Sequence, residues 1–525
     1  MTTDLLSVVR RPLGFRTRLL VAAFVALSAG ILAATHFVYT PLQVDGAWYG
    51  YPGFALSQGR DPGESFAPID LPIDDTGTRV NFPFDTRDLR TYSIAAWFQL
   101  FSPSIWSAKA YSLMELLVLV SVTVFVLRQN IGASWAAAIA GLMLLSDLTA
   151  VSLASADMRP DIAVAIFGVA VFGGAVMHRG SFSWQRSVCC VLLAAILAFV
   201  HLTSAVAFSV IGGAMAVDFL LNRSAMSIRR IATYFGVLAV GLVGLAFQRP
   251  IRELLVPTSF DPSSLYYPQP ANNLALGHLA AKELNRWYNY FFDANVSILV
   301  ALLVVTFFAV RILRTHGQSE KSSDSSIRLI APLAFGLLCG IGVLAILDPH
   351  PASHHAFSVL VFAYLLSAYV LDAATSRNQH GLSNTLAALL VAAGLAKVLL
   401  ATKIGIEEVE DGLSNATIRT ALNEEVEKTG ARVIIGPTML WSYLKPSGSY
   451  LVLDRRTGDL RVLAPALNQV DLIVADEEYR AFNFVETLEQ TYPQFEVSMI
   501  RTIGNVDAPD RLQLFTIHHR PQPAL

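Results

Sequence analysis

The sequence predicts a polytopic α-helical membrane protein of about eleven transmembrane helices, with a small extracytoplasmic α/β domain at its C-terminal end. Three observations carry this. Charged side chains make up 15 % of the 525 residues, against roughly 25 % in an ordinary soluble domain. Hydrophobic residues reach 54 %, and mean hydropathy is +0.50. The 38 basic and 40 acidic side chains are unevenly placed, with about 29 of them after residue 404. This balance excludes a soluble enzyme, a disordered chain and a nucleic-acid binder driven by net positive charge, the net charge being −2.

A bilayer-spanning helix needs about 20 mostly apolar residues. Leu19 to Val38 is the first such run. Arg10, Arg11, Arg16 and Arg18 precede it, as in a signal peptide, but the apolar stretch is too long for one and further spans follow. The other spans fall at about 106–127, 132–153, 160–177, 187–200, 203–221, 231–248, 293–313, 329–347, 355–372 and 383–402. The stretch 187–221 reads either as two short helices broken near His201 or as one span with a tail. Charge decides for two. Arg128, Arg179, Arg186, Arg223, Arg229, Arg230, Arg311, Arg314, Lys321, Arg328 and Arg377 then share one side with the N-terminal arginines. The positive-inside rule makes that side cytoplasmic, and an odd number of spans puts the tail outside. The expected location is a bacterial inner membrane, with the N-terminus in the cytoplasm and the C-terminal domain in the periplasm.

The chain thus divides into a membrane domain, 1–404, and a soluble domain, 405–525. Two other extracytoplasmic segments are large, at about 39–104 and 249–292. In the first, Trp48, Tyr49, Tyr51 and Phe54, then Tyr92, Ile94, Trp97, Phe98 and Leu100, predict two helices lying in the membrane interface. A connector rich in Pro and Asp, Asp61 to Asp85, joins them. In the tail, Val433–Ile435, Tyr450–Leu453, Leu472–Val474 and Leu512–Ile517 read as short strands, and Thr417–Lys428 and Glu477–Thr491 as helices. That alternation suggests a layered sheet with parallel strands. The domain has no GxGxxG or Walker loop. Cys189, Cys190 and Cys339 lie in apolar runs and imply no disulfide framework.

Ionisable groups near the membrane are candidate functional sites. Asp45, in Val44-Asp45-Gly46-Ala47-Trp48-Tyr49, reads either as a helix N-cap or as a carboxylate facing a polar cavity, able to take a proton from an acceptor hydroxyl. Asp161, in Asp157-Met158-Arg159-Pro160-Asp161, suits the first turn of a helix opened by proline. It could equally meet Asp45 at one cavity and bind a divalent cation or orient an acceptor. Arg159 can pair with either acid or with a phosphate. His201, His350, His354 and His355 stand at outer span ends. They read as caps or as contacts to phosphate or sugar. Pro351 disrupts a helical His350/His354 metal pair. Arg249, Arg252, Lys282 and Arg286, set among Tyr266, Tyr267, Trp287, Tyr288 and Tyr290, suit either a phosphorylated lipid or interfacial anchoring.

This arrangement resembles the GT-C class of integral-membrane glycosyltransferases. It is most similar to bacterial relatives of the protein O-mannosyltransferases and lipid A aminoarabinose transferases, related to glycosyltransferase family 39. The likeness covers about residues 15–400. It rests on the acidic motif at Asp45 with an aromatic, small-residue helix running to Gly59, and on the long first loop with its two helices. It also rests on Leu89 to Phe101 followed by Ser104-Ile105-Trp106-Ser107-Ala108-Lys109-Ala110, on Met158-Arg159-Pro160-Asp161, and on the loop His350 to His355. The resemblance implies a sugar donor on a polyprenyl phosphate and transfer on the outer face with inversion. The acceptor would be a lipid, a glycan or a protein. Asp45 would be the general base. Asp161 would shape the site, through a divalent metal if one is used. Arg159, Arg249, Lys282 and Arg286 would hold the donor phosphate, with His201 and His354 also in the substrate site. Relatives often carry Asp-Glu where this chain has Asp45-Gly46, which weakens a chelating role there. The rival readings are a multi-span transporter or flippase and a non-catalytic scaffold of envelope glycan assembly. Transporters usually carry mid-span ionisable groups and inverted repeats.

Overall fold

The structure is a computed structural model. It describes residues 12–42, 44–59, 89–178, 182–201, 203–247, 276–293, 295–316, 327–347, 353–411, 413–437, 439–445, 451–453, 467–481, 483–505 and 511–519. Among the described residues, eight helices are long and apolar enough to cross a membrane, a bent pair has the combined length and apolarity of one more, and Asp161–Met177 and Trp184–Val200 are shorter apolar helices. Together they occupy every span expected from hydropathy. The stretch 187–221 is two helices, Trp184–Val200 and Ser204–Asn222. His201 between them has extended backbone, φ −164 and ψ 163, which ends one helix before the next begins.

One span departs from expectation. The run 132–153 is two helices, Ser134–Ser146 and Leu148–Ala156, bent by 60°. Asp147 causes the break. Its backbone is extended, and its Oδ1 accepts the Thr149 amide at 2.9 Å, so it caps the second helix. A buried break frees backbone groups that lipid cannot satisfy, so neighbouring side chains must do so. Lys397 donates to Ser146 O at 2.7 Å, and Asn295 Oδ1 accepts the Leu148 amide at 2.9 Å. The fully buried Asp147 carboxylate accepts the Tyr364 hydroxyl at 2.7 Å and also the Tyr290 hydroxyl.

The span His354–Ser376 is 94 % buried, whereas Ile228–Ala246 is 28 % buried. The former is therefore the axis of the bundle and the latter a peripheral helix. Helices Ser204–Asn222 and Ile327–Leu347 pack closely because Gly336 leaves room, a Cβ there falling on Val210 O. At the bundle end away from Asp161, Arg230 pairs with Asp218 at 3.0 Å and donates to Val176 O at 2.7 Å. Three helices are thus tied together there.

The first-loop helices, Val44–Ser57 and Arg90–Phe101, are both present. Part of their aromatic faces packs against protein. Tyr51, Phe54, Ile94 and Phe98 are buried in a second hydrophobic core that continues into the C-terminal domain. Trp441 of that domain stacks on Phe54 at 5.2 Å and meets Phe98 edge-on at 5.7 Å. Tyr92, Leu100 and Phe101 stay exposed. The hydrophobic pattern marks amphipathic helices but does not distinguish burial under a domain from burial in lipid.

The C-terminal domain holds a five-stranded sheet in the order β2-β1-β3-β5-β4. Its strands are β1 Val433–Ile435, β2 Leu451–Leu453, β3 Leu472–Ala475, β4 Phe495–Ile503 and β5 Leu512–His519. The sheet is mixed: β1 runs parallel to β2 and β3, while β5 is antiparallel to β3 and β4. β4 was not expected. Its largely exposed, bulged edge carries Glu496, Ser498 and Arg501, which dilute the apolar alternation. The helix expected over 477–491 is Glu477–Ala481 and Phe484–Thr491, parted at Asn483 with φ 48.

Asp147→Ala removes the cap and strands the hydroxyls of Tyr290 and Tyr364. A loss of about 3 kcal/mol follows, read as a lowered thermal midpoint of the detergent-solubilised chain. An unchanged midpoint contradicts this account of the bend.

Candidate functional site

The turn Asp157–Pro160 leads into helix Asp161–Phe172, with Pro160 at the cap position and Asp161 in the first turn. Asp161 is 1 % exposed. Its Oδ2 faces Arg159 Nε at 3.2 Å, while Oδ1 meets no hydrogen-bond partner among the described residues. Arg159 reaches onward. Its second guanidinium nitrogen lies 2.9 Å from His355 Nε2, and its carbon sits 5.8 Å above the Tyr49 ring. His201 Nδ1 accepts the Thr203 amide at 3.2 Å, which leaves Nε2 as the protonated nitrogen facing the Tyr49 hydroxyl at 3.1 Å. His354 stands edge-on to His355 at 4.3 Å. Asp161 interacts electrostatically with Arg159, His355, His354 and His201. Four stretches distant in sequence therefore meet at one end of the bundle.

Gly46 brings the Asp45 helix to the same place. A Cβ on Gly46 would fall on Asp157 Oδ1 and lie 2.5 Å from the Met158 amide nitrogen. Only glycine allows that approach, and an acidic side chain at this position has no room. Asp45 sits in the first turn of helix Val44–Ser57, but its side chain lies outside the described residues.

The turn is braced from behind. Arg90, at the start of helix Arg90–Phe101, binds Glu115 through two bonds of 2.7 and 2.6 Å, and its remaining nitrogen donates to Met158 O. Both partners are buried. A bidentate pair satisfied on every side is the form in which a buried ion pair is tolerated. Beside it opens a mostly apolar cavity of about 300 Å³, lined in part by Ser93, Tyr111 and Phe167.

The basic residues of the second loop are placed differently. Lys282 donates to Ala345 O at 2.7 Å, and Arg286 pairs with Glu283 at 3.3 Å. Their helix, Leu276–Phe292, packs on the turn 353–356 that carries His354 and His355. They border the site through that turn. Arg249 and His350 lie outside the described residues. No group of three His, Cys, Asp or Glu side chains among the described residues could hold a metal ion. Arg159 faces one oxygen of the Asp161 carboxylate, and the side chain of Asp45, the other expected ligand, lies outside the described residues.

Reading by residue type misses Tyr49 as a polar contact, because aromatics in that loop look like membrane anchors. It also misses the Arg90–Glu115 brace. Glu115 within the apolar run 105–128 is the signal that could have found it.

No protein-family model matches the sequence, and no curated protein is similar to it in sequence. Solved structures are similar in shape. The crystal structure of ArnT from Cupriavidus metallidurans in the apo state is 13 % identical, covering 94 % of this chain and 97 % of that one, with a TM-score of 0.46. The same protein bound to undecaprenyl phosphate is 14 % identical over 95 % and 99 %, TM-score 0.46. The Archaeoglobus fulgidus oligosaccharyltransferase, in complex with Zn and sulfate, is 12 % identical over 92 % of this chain and 72 % of that one, with a TM-score of 0.50.

Gly46→Ala forces helix Val44–Ser57 off the Asp157–Met158 turn and costs about 1–3 kcal/mol. Gly30→Ala, where an added Cβ meets nothing, leaves thermal stability equal or higher. Equal midpoints for the two variants contradict the close approach. The helix order, the bundle and the small C-terminal sheet together give this chain the GT-C fold, shared with the archaeal oligosaccharyltransferase.

Proposed function

We propose that the chain is a membrane glycosyltransferase. It moves a sugar from a polyprenyl-phosphate donor to a lipid, glycan or protein acceptor on the outer face of a bacterial inner membrane. The observation that carries this reading is the convergence of Arg159, Asp161, His201 and His355 at one bundle end with Tyr49 of helix Val44–Ser57, whose first turn holds Asp45. The GT-C fold supports it. So does the placement of these groups at helix ends.

In this reading the Asp45 carboxylate takes the proton of an acceptor hydroxyl. The acceptor oxygen bonds to the anomeric carbon as the bond from that carbon to the phosphate oxygen breaks. Polyprenyl phosphate leaves with the electron pair, and a single displacement inverts the centre. Charge grows on the departing phosphate, where Arg159 and the neighbouring histidines can stabilise it. Asp161 holds Arg159 in place at 3.2 Å. Lys282 and Arg286 belong to the helix bordering the donor side. No step runs through a metal.

The N-terminus is cytoplasmic in this reading, and the C-terminal domain faces the periplasm. A scaffold on the same fold would not depend on the proton-accepting ability of one carboxylate.

Asp45→Asn keeps size and polarity but cannot accept the proton. Sugar transfer falls by about 100-fold or more while membrane insertion and thermal stability stay normal. Mass spectrometry of envelope glycolipids and glycoproteins, from a deletion strain complemented with each variant, reads this. Wild-type glycans with Asp45→Asn contradict the enzyme reading.

A further inference from the structure

The C-terminal domain grips the chain on both sides of Asp45. Upstream, Asn415 Nδ2 donates to Phe37 O at 2.9 Å and Thr40 O at 2.8 Å. Phe37 is in the last turn of helix Phe15–Val38 and Thr40 lies just beyond it, where carbonyls have no helical partner. Tyr443 donates to Asn415 Oδ1 at 2.6 Å and so fixes which way the amide faces. Burial, with Glu408 adding to it, pushes the Tyr443 phenol far above its usual range, and it stays a donor at any working pH. Lys109 of helix Ile105–Arg128 secures the same helix end, donating to His36 O at 2.5 Å and to Thr40 O.

Downstream, Trp441 Nε1 donates to Ala47 O at 3.1 Å. A Cβ on Gly50 would lie 2.9 Å from the Trp441 ring and 2.7 Å from Met158 Sδ. Helix Val44–Ser57 is therefore wedged between Trp441 and the turn that leads to Asp161. Asn415, Trp441 and Tyr443 are all buried.

We propose that the C-terminal domain is a positioning element. It presses the helix bearing Asp45 against the Asp157–Asp161 turn, and Asn415 and Trp441 are the positioning residues. This rests on the reading of Asp45 as the base. Hydrogen bonds at Thr40 O and Ala47 O restrain the chain on both sides of Asp45, and catalysis is sensitive to displacements of about 1 Å. The domain thereby belongs to the catalytic unit.

The test uses the full chain, in nanodiscs for amide exchange and in the complemented deletion strain for product. Trp441→Ala raises exchange across 41–57, leaves the span 357–376 protected, and lowers glycan product per inserted protein by about 100-fold. Trp441→Phe keeps an aromatic ring but loses the bond to Ala47 O, and product falls between that of wild type and Trp441→Ala. Asn415→Ala reads the upstream grip alone, with the same direction expected, and serves if Trp441→Ala loses its fold throughout. Wild-type exchange over 41–57 in both alanine variants overturns the proposal, as does wild-type product in both. Asp45→Asn, run in parallel, separates the two claims. Wild-type product there overturns the base assignment, while the exchange data judge the grip independently.

Discussion

Contact without a side chain is the constraint on which the site depends. At Gly46 the first-loop helix lies against Asp157 and Met158 closely enough that a Cβ would overlap Asp157 Oδ1. Everything around this contact maintains it. Arg90 holds Met158 O from one side, and Trp441 holds Ala47 O from the other. Arg159 then turns from Asp161 toward His355 and Tyr49. Two acid-bearing segments, separated by more than a hundred residues, come together because Gly46 carries no side chain to hold them apart.

Burying charge near lipid is costly, and the fold uses each buried ion to close a gap that helix ends leave open. Lys109 covers the end of the first helix, and Lys397 covers the break at Ser146. Arg230 reaches Val176 O, where helix Asp161–Phe172 ends in a π-helical turn. Asp147 starts a helix while accepting two tyrosine hydroxyls. These groups are structural. They differ from Asp161, whose second oxygen has no partner among the described residues.

Much of the architecture was readable from the sequence. Hydropathy located every apolar helix, and the charge pattern divided 187–221 correctly at His201. The bend at Asp147 was not read, because one acid in an apolar run shifts mean hydropathy little. Its partners, Tyr290, Tyr364 and Lys397, are far along the chain. Asp161 and Arg159 were chosen for residue type and position, and they do stand together. His201 joins them through Tyr49, and His354 through its neighbour His355. For Lys282 and Arg286, cations set among aromatics point to a phosphate, but that pattern does not reveal that Ala345 O and Glu283 engage them. The departure at Gly46 looked like lost chelation. In three dimensions it is the small residue that close packing requires.

An experimental structure of the chain in lipid nanodiscs, at a resolution that shows carboxylates, addresses the central claim most directly. The expected result is one water-filled hollow containing the carboxylates of Asp45 and Asp161, within about 10 Å of each other, a span that one reacting sugar can bridge. Asp45 directed into lipid, or into a cavity walled off from Asp161, would contradict it.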